Sequence, residues 1–100
     1  TDRGWFCLPE IDLGMQFHPF MLALITSRLT GPTAEEAILT AHRYDGAGAL
    51  AAGIAHRTAD AADLVTAAID LAGPLAGKAP DITVALKRAL HAPVLAHLDD

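Results

Sequence analysis

Residues 5–14 have the sequence Trp-Phe-Cys-Leu-Pro-Glu-Ile-Asp-Leu-Gly, an apolar run that ends at a proline and a carboxylate. Residues 5–8 are apolar and strand-forming, and they predict a β-strand. A buried strand needs neighbouring strands for its backbone hydrogen bonds, and the remaining sequence supplies almost none. We therefore expect the partners of this strand to lie upstream of Thr1, and the 100 residues by themselves to be poorly stable.

Helical patterns dominate after residue 14. Pro19 suits the first turn of a helix with apolar residues at 3.6 spacing, and Gly31 and Pro32 are expected to end it. Thr33 and Glu36 have the spacing of a capping box for the next helix. Residues 54–58 predict a short extended segment. Later helices are predicted from aspartate caps and interrupting prolines, namely Asp45, Asp60, Pro74, Asp81 and Pro93. The predicted fold class is mainly α, with one or two short strands followed by about five helices.

Composition excludes several classes of protein. Hydrophobic residues make up 52% of the 100-residue chain, charged residues 19%, and the mean hydropathy is +0.32. This composition is too apolar for a disordered chain, yet no stretch reaches the roughly 20 apolar residues of a membrane-spanning helix. The formal net charge of −5 is unsuited to a phosphate backbone. We expect neither nucleic acid nor a membrane as a partner.

The cysteine and histidines predict no metal site. Cys7 is the one cysteine, so it forms neither an internal disulfide nor a zinc site within the chain. This usage favours a reducing compartment, and we expect a cytoplasmic protein, or a peroxisomal or mitochondrial one in a eukaryote. The histidines lack metal-ligand spacing. His18 and His42 fit helix ends better.

Glu10 is the strongest candidate for chemistry. It follows Pro9 and has apolar neighbours on both sides. Removal of a carboxylate from water makes it a stronger base, and general acid–base catalysis is worth about 10²–10⁴ in rate. A solvated glutamate beside a turn is the other interpretation of the residue by itself.

The sequence resembles the enoyl-CoA hydratase/isomerase (crotonase) family. In that family a strand leads into Pro-Glu-x-x-Leu-Gly, which is present here at residues 9–14. The resemblance extends over about residues 2–72. It is carried by four segments, which are Asp-Arg-Gly-Trp at residues 2–5 with the motif that follows, Arg-Leu-Thr-Gly at 28–31, residues 34–40, and Ala-Leu-Ala-Ala-Gly-Ile at 49–54.

The resemblance implies a division of the chain and a catalytic residue. Residues 1–18 correspond to the last strand and turn of the α/β spiral core, and residues 19–100 to the C-terminal helical region that forms trimers and one wall of the active site. Glu10 matches the acid/base glutamate of the family, which moves protons next to a thioester enolate. Backbone N–H groups that hold the thioester oxygen in the family would lie upstream of these residues.

The resemblance favours an isomerase over a hydratase. Hydratases usually follow Leu-Gly with Pro-Gly-x-Gly-Gly, whereas residues 15–21 are Met-Gln-Phe-His-Pro-Phe-Met. The opening Asp-Arg-Gly-Trp at residues 2–5 and the apolar Phe-Met-Leu-Ala at 20–23 are more similar to the Δ3,Δ2-enoyl-CoA isomerase branch, in which one carboxylate removes a proton from C2 and returns one to C4. Besides Glu10, the residues expected to bind substrate are Pro9, Leu13, Gly14, Phe17, Phe20 and, for the phosphates of CoA, Lys87.

The expected partners follow from the same resemblance. They are an acyl-CoA thioester as substrate and further copies of the chain in a homotrimer or a dimer of trimers. No separate cofactor is expected, because CoA is part of the substrate. Two alternatives stay open: an enoyl-CoA hydratase that adds water to a 2-enoyl-CoA, and a non-catalytic module that binds acyl-CoA or forms trimers.

Overall fold

The computed structural model describes residues 4–98, and the motif residues Asp2 and Arg3 lie outside this range. The fold is a series of short helices, which confirms the mainly α class. The elements are α1 (Glu10–Leu13), α2 (Pro19–Arg28), α3 (Gly31–Thr40), α4 (Gly46–Ala51), α5 (Leu64–Ala72), a 3-10 helix (Gly73–Gly77), α6 (Pro80–Leu90) and α7 (Ala92–Leu95).

The strand predicted at residues 5–8 is reduced to one β-bridge. Phe6 pairs with Tyr44 in antiparallel orientation. The Phe6 amide donates to the Tyr44 carbonyl at 2.8 Å, and the Tyr44 amide donates to the Phe6 carbonyl at 2.9 Å. The extended segment predicted at residues 54–58 is no strand either, because the Ile54 amide turns back to the Ala49 carbonyl at 2.8 Å. A strand needs a continuous ladder, and in the part of the chain that the structure describes these segments have none.

Helix α3 begins one turn earlier than predicted. Its N-cap is Thr30, whose hydroxyl accepts from the Thr33 amide at 3.4 Å. Gly31 and Pro32 therefore start α3 instead of terminating α2, which ends at Arg28. Proline is well suited to a first helical turn, because the missing N–H has no intrahelical partner there. The predicted capping box is wrong, and Glu36 is free for another contact.

Of the three aspartate caps, one is confirmed. The Asp45 carboxylate accepts from the Gly48 amide at 2.6 Å at the start of α4. Helix α5 begins after Asp63, beyond the predicted Asp60, and Asp81 lies inside the first turn of α6, which begins at Pro80. An acid in a first turn still complements the helix dipole. Pro74 follows the end of α5, as predicted.

The buried core of residues 4–98 is small and lies between α3 and α4. Ala37, Tyr44 and Ala49 form a buried cluster, and Ala37 has no exposed surface. This cluster joins one alanine from α3 and one from α4 to a single aromatic residue. The partly buried hydrophobic residues packed against this cluster are Phe6, Leu8, Leu29, Ala52, Ile54 and Ala55.

Residues 60–90 are exposed at every position. Among the described helices α5 packs on the 3-10 helix that follows it, and α6 packs on α7. Helix α7 connects this region to the rest by packing on α2, with Val94 only 4% exposed. The radius of gyration is 15.9 Å, against about 13 Å for a compact domain of this length. None of the helices between residues 4 and 98 combines the length and apolar character needed to span a bilayer.

Candidate active site

Glu10 is the first residue of the one-turn helix α1. Pro9 is its N-cap, and Gly14 ends it in the left-handed region at φ 69°. Glycine suits that position because it lacks the Cβ that makes positive φ unfavourable for other residues. Pro9 and Gly14, both part of the motif identified in the sequence, thus stand at the two ends of the turn that carries the Glu10 carboxylate.

The Glu10 side chain enters a pocket of about 330 Å³. The residue is partly buried, and its Oε2 atom is shielded from solvent without a hydrogen-bond partner among the described residues. Such an atom is costly to bury unless a further group meets it. Apart from Glu10 and Gln16 the lining is apolar, and it consists of Ile11, Met15, Phe17, Leu22, Ile38 and Leu39.

The structure brings two of the predicted site residues together. Glu10 and Phe17 line the same pocket. Pro9, Leu13 and Gly14 are exposed and adjoin it in sequence, and Phe20 is partly buried in the first turn of α2. Lys87 is exposed in the last turn of α6, where a cation complements the helix dipole. Asp12 is exposed, and it is not part of the pocket lining.

Sequence reasoning missed one wall of the pocket. Ile38 and Leu39 come from α3, 28 and 29 residues after Glu10 in the chain. Ile38 is apolar and partly buried on α3. Leu39 lines the pocket although it is 61% exposed, and its position in the sequence gives no indication of that contact.

His18 caps the helix that follows the pocket residues. Its Nδ1 accepts from the Phe20 amide at 3.1 Å, which confirms a helix-end role for this histidine. An imidazole nitrogen that accepts a hydrogen bond carries no proton. No group of histidine, cysteine, aspartate or glutamate side chains within residues 4–98 has the arrangement of a metal site.

Tyr44 joins α3 to the segment that precedes Glu10. Its hydroxyl donates to Oε1 of Glu36 at 2.6 Å, and its side chain is only 5% exposed. Burial, together with the neighbouring Glu36 carboxylate, raises the pKa of Tyr44 to about 12. Both effects disfavour the phenolate, so Tyr44 stays a hydrogen-bond donor to Glu36.

The sequence profile of the family described as enoyl-CoA hydratase/isomerase matches residues 1–99. The chain belongs to this family. Proteins similar to this chain include a carnitinyl-CoA dehydratase of Proteus mirabilis, 33% identical over 92 residues. That alignment covers 92% of this chain and 35% of the relative, so the chain spans about a third of the length of the curated relatives it matches.

Solved structures of the enoyl-CoA hydratase/isomerase family share the fold. A Mycobacterium tuberculosis enoyl-CoA isomerase superposes with a TM-score of 0.88 at 26% identity, over 97% of this chain and 43% of that protein. A second structure from the same organism, called a probable enoyl-CoA hydratase, gives the same TM-score and identity over 41% of its length. An enoyl-CoA hydratase of Mycobacterium marinum, 23% identical with a TM-score of 0.87, shows the likeness of fold alone.

Proposed function

We propose that this chain forms part of an enzyme that acts on acyl-CoA thioesters, and that its reaction is the isomerisation of a 3-enoyl-CoA to a 2-enoyl-CoA. The observation that carries the proposal is the Glu10 carboxylate oxygen, buried without a partner in an apolar pocket. A base shielded from water keeps the proton that it has removed, because no solvent exchanges it.

The proposed reaction is a transfer of one proton between two carbons. The Glu10 carboxylate removes a proton from C2 of the 3-enoyl thioester, which leaves a dienolate whose charge is spread onto the thioester oxygen. The same carboxyl group then returns a proton to C4, and the double bond moves to C2–C3. Backbone N–H groups outside this chain would hold the charged oxygen, since such donors stabilise charge that develops in the transition state.

The pocket lining supports a single-carboxylate mechanism. Glu10 is the one carboxylate among the lining residues that the structure describes, and Asp12 on the same turn is exposed. Phe17 and Leu22 provide apolar surface beside the base, suited to an acyl chain. We propose that Pro9, Leu13, Gly14 and Phe20 shape the surrounding surface and that Lys87 contacts the phosphates of CoA.

Hydration of a 2-enoyl-CoA is the second candidate function. Gln16 is the polar neighbour of Glu10 in the pocket lining, and an amide can hold a water molecule by donating to it or accepting from it. The dehydratase among the relatives is named for removal of water, the reverse of hydration. A hydratase of this family would need a second glutamate from outside these residues.

The test uses the full-length protein with 3-enoyl-CoA and follows the absorbance of the conjugated 2-enoyl thioester. We expect Glu10→Gln to lower turnover by about 10²–10⁴-fold, because the amide cannot accept the proton. The matched control is Asp12→Asn, an equivalent change on the same turn that should leave turnover unchanged. Unaltered turnover in Glu10→Gln would remove the catalytic assignment, and faster hydration of 2-enoyl-CoA than isomerisation would favour the hydratase.

We also propose that the chain assembles into homotrimers, or dimers of trimers, through the helices of residues 60–90. These helices expose large apolar side chains that water solvates poorly. The exposed residues are Leu64, Val65, Ile69, Leu71, Leu75, Ile82, Val84, Leu86 and Leu90. Light scattering on the full-length protein should give the mass of a trimer or a hexamer, and the mass of a single chain would contradict the proposal.

A further inference from the structure

We propose that Tyr44 and Glu36 are positioning residues that fix the Glu10 carboxylate relative to its pocket. They do so by anchoring the segment of residues 6–9 to helix α3. The inference rests on the catalytic role of Glu10 proposed above. It concerns side chains that lie outside the pocket lining and that touch no reacting atom.

Helix α1 has little internal means of holding Glu10 in place. It is a single turn of four residues, none of them buried, and its N-cap Pro9 makes no side-chain capping bond. Isolated helices of this length are not stable in water. The position of Glu10 therefore depends on the segment before it and on the contact of α1 with α3.

The segment before Glu10 is tied to the connection between α3 and α4. Phe6 and Tyr44 exchange both of their backbone hydrogen bonds, at 2.8 and 2.9 Å. The Cys7 thiol donates to the Ala41 carbonyl at 3.4 Å. Phe6 and Leu8 also pack on the buried cluster that contains Tyr44. The backbone and thiol bonds end on residues 41–44, and the centroid of the Phe6 ring lies 6.4 Å from that of Tyr44.

The connection is in turn fastened to α3 by the Tyr44 side chain. After α3 the chain reverses through Ala41, which has a φ of 52° in the left-handed region. The Tyr44 hydroxyl then reaches back by eight residues to the Glu36 carboxylate at 2.6 Å. A hydrogen bond to a charged acceptor is stronger than one between neutral groups. This bond fixes the position of Tyr44 relative to α3. Because Phe6 is paired with Tyr44, its position is fixed as well.

The same helix carries the opposite wall of the pocket. Ile38 and Leu39 line the pocket with Glu10, and they follow Glu36 within one helical turn. Thus α3 holds the apolar wall directly and holds the carboxylate through Tyr44. The distance between base and wall therefore depends on this side-chain hydrogen bond together with the direct contact of α1 with α3, and proton transfer is sensitive to displacements of about 1 Å.

The experiment compares variants of the full-length protein in the 3-enoyl-CoA assay. Tyr44→Phe keeps the buried ring and removes only the hydroxyl, and Glu36→Ala removes its acceptor. We expect both to lower kcat about tenfold with KM changed less than twofold, since substrate binding is not altered. Glu36→Gln retains an acceptor oxygen and should restore most of kcat. Ser27→Ala, which also removes one hydroxyl, is the control and should match the unmodified protein.

The outcomes separate positioning from simple stabilisation. Thermal unfolding is recorded for each variant, and kcat is measured well below the unfolding transition. A lower unfolding temperature with unchanged kcat would show a structural role alone and would overturn the proposal. So would equal losses in Glu36→Gln and Glu36→Ala, because the restored acceptor would then have no effect.

Failure of the proposed function is recognised independently. If Glu10→Gln retains full turnover, the catalytic role of Glu10 is wrong. Hydrogen exchange at the Phe6 amide then tests the anchoring itself, because this amide bonds to the Tyr44 carbonyl. Faster exchange in Tyr44→Phe would support anchoring, and an unchanged rate would overturn it.

Discussion

The two regions of this chain differ in what their apolar residues contact. In residues 4–59, Ala37, Tyr44 and Ala49 are buried against one another. In residues 60–98, helices α5 and α6 carry larger apolar side chains, but Leu86 is 65% exposed and Leu90 is 74% exposed. Buried apolar area stabilises a fold at about 25 cal/mol per Å², so the small side chains of the first region contribute more to the core than the large ones of the second.

The difference shows that hydrophobic pattern predicts a helix without predicting its partner. Both regions have apolar residues at helical spacing, and both form helices. What distinguishes them is the buried aromatic residue Tyr44, which packs in one cluster with Ala37 of α3 and Ala49 of α4. The exposed helices of the second region have one buried contact, Val94 on α7, which packs on α2.

The strongest test of this difference replaces one alanine with leucine in each region and compares the losses in the free energy of unfolding. Ala37→Leu adds three carbon atoms where no surface is exposed, and we expect the free energy of unfolding to fall by about 1–3 kcal/mol. The equivalent Ala85→Leu on exposed α6 should change it by less than about 0.5 kcal/mol. Urea denaturation of the full-length protein measures both. Equal losses would mean that the two regions are packed alike.

Local signals in the sequence predicted most of the helices but not all of their ends. Asp45 was correctly predicted as a cap because the bond to Gly48 depends only on neighbouring residues. The start of α3 was missed because Gly31 and Pro32 suit either the end of one helix or the beginning of another. The strand predicted at residues 5–8 is reduced to one bridge because pairing depends on distant segments, and within residues 4–98 Tyr44 alone supplies a partner.

In the candidate site, too, the residues that are close together in sequence were predictable and the distant ones were not. Glu10 and Phe17 stand close together in sequence and could be recognised there. Leu39 reaches the pocket because α3 packs on α1, and the reversal at Ala41 brings Tyr44 to the segment before Glu10. A non-glycine residue with positive φ has only a weak sequence signature. The contact of Glu36 with Tyr44 was hidden by its fit to a capping motif, which the structure does not use.

A second prediction concerns the pH at which the buried Tyr44 ionises. Tyr44 is the one tyrosine of the chain, and burial together with Glu36 raises its pKa to about 12. In the difference spectrum of the full-length protein against Tyr44→Phe, tyrosinate absorbance should therefore appear near pH 12 and not near 10. Glu36→Gln should lower that midpoint while burial keeps it above the usual value. A midpoint near 10 in the folded protein would show that the ring is solvated.

The sign of the accompanying effect on stability follows from the raised pKa. Below pH 10 both the folded and the unfolded chain hold the proton, and the stabilisation is fully present. Between 10 and 12 the unfolded chain loses the proton first, so stability falls as pH rises and the contribution is lost through the folded pKa. Tyr44→Phe cannot ionise and should lack this part of the alkaline decline.

The smallest effect on the fold is expected for the exposed face of α6. Leu86→Ser removes an apolar side chain that is 65% exposed, so the free energy of unfolding of a single chain should change by less than about 0.5 kcal/mol. Assembly should respond more strongly if Leu86 lies near the centre of the interface, because the residues whose truncation costs more than about 1 kcal/mol cluster there. Dilution series by light scattering should show the proposed trimer dissociating at higher concentration in Leu86→Ser than in the unmodified protein. Arg88→Ser changes the opposite side of the same helix and is the control. If Leu86→Ser instead unfolds the chain while assembly is unaffected, then residues 60–90 pack within their own chain, and the contrast between the two regions does not hold for the full-length protein.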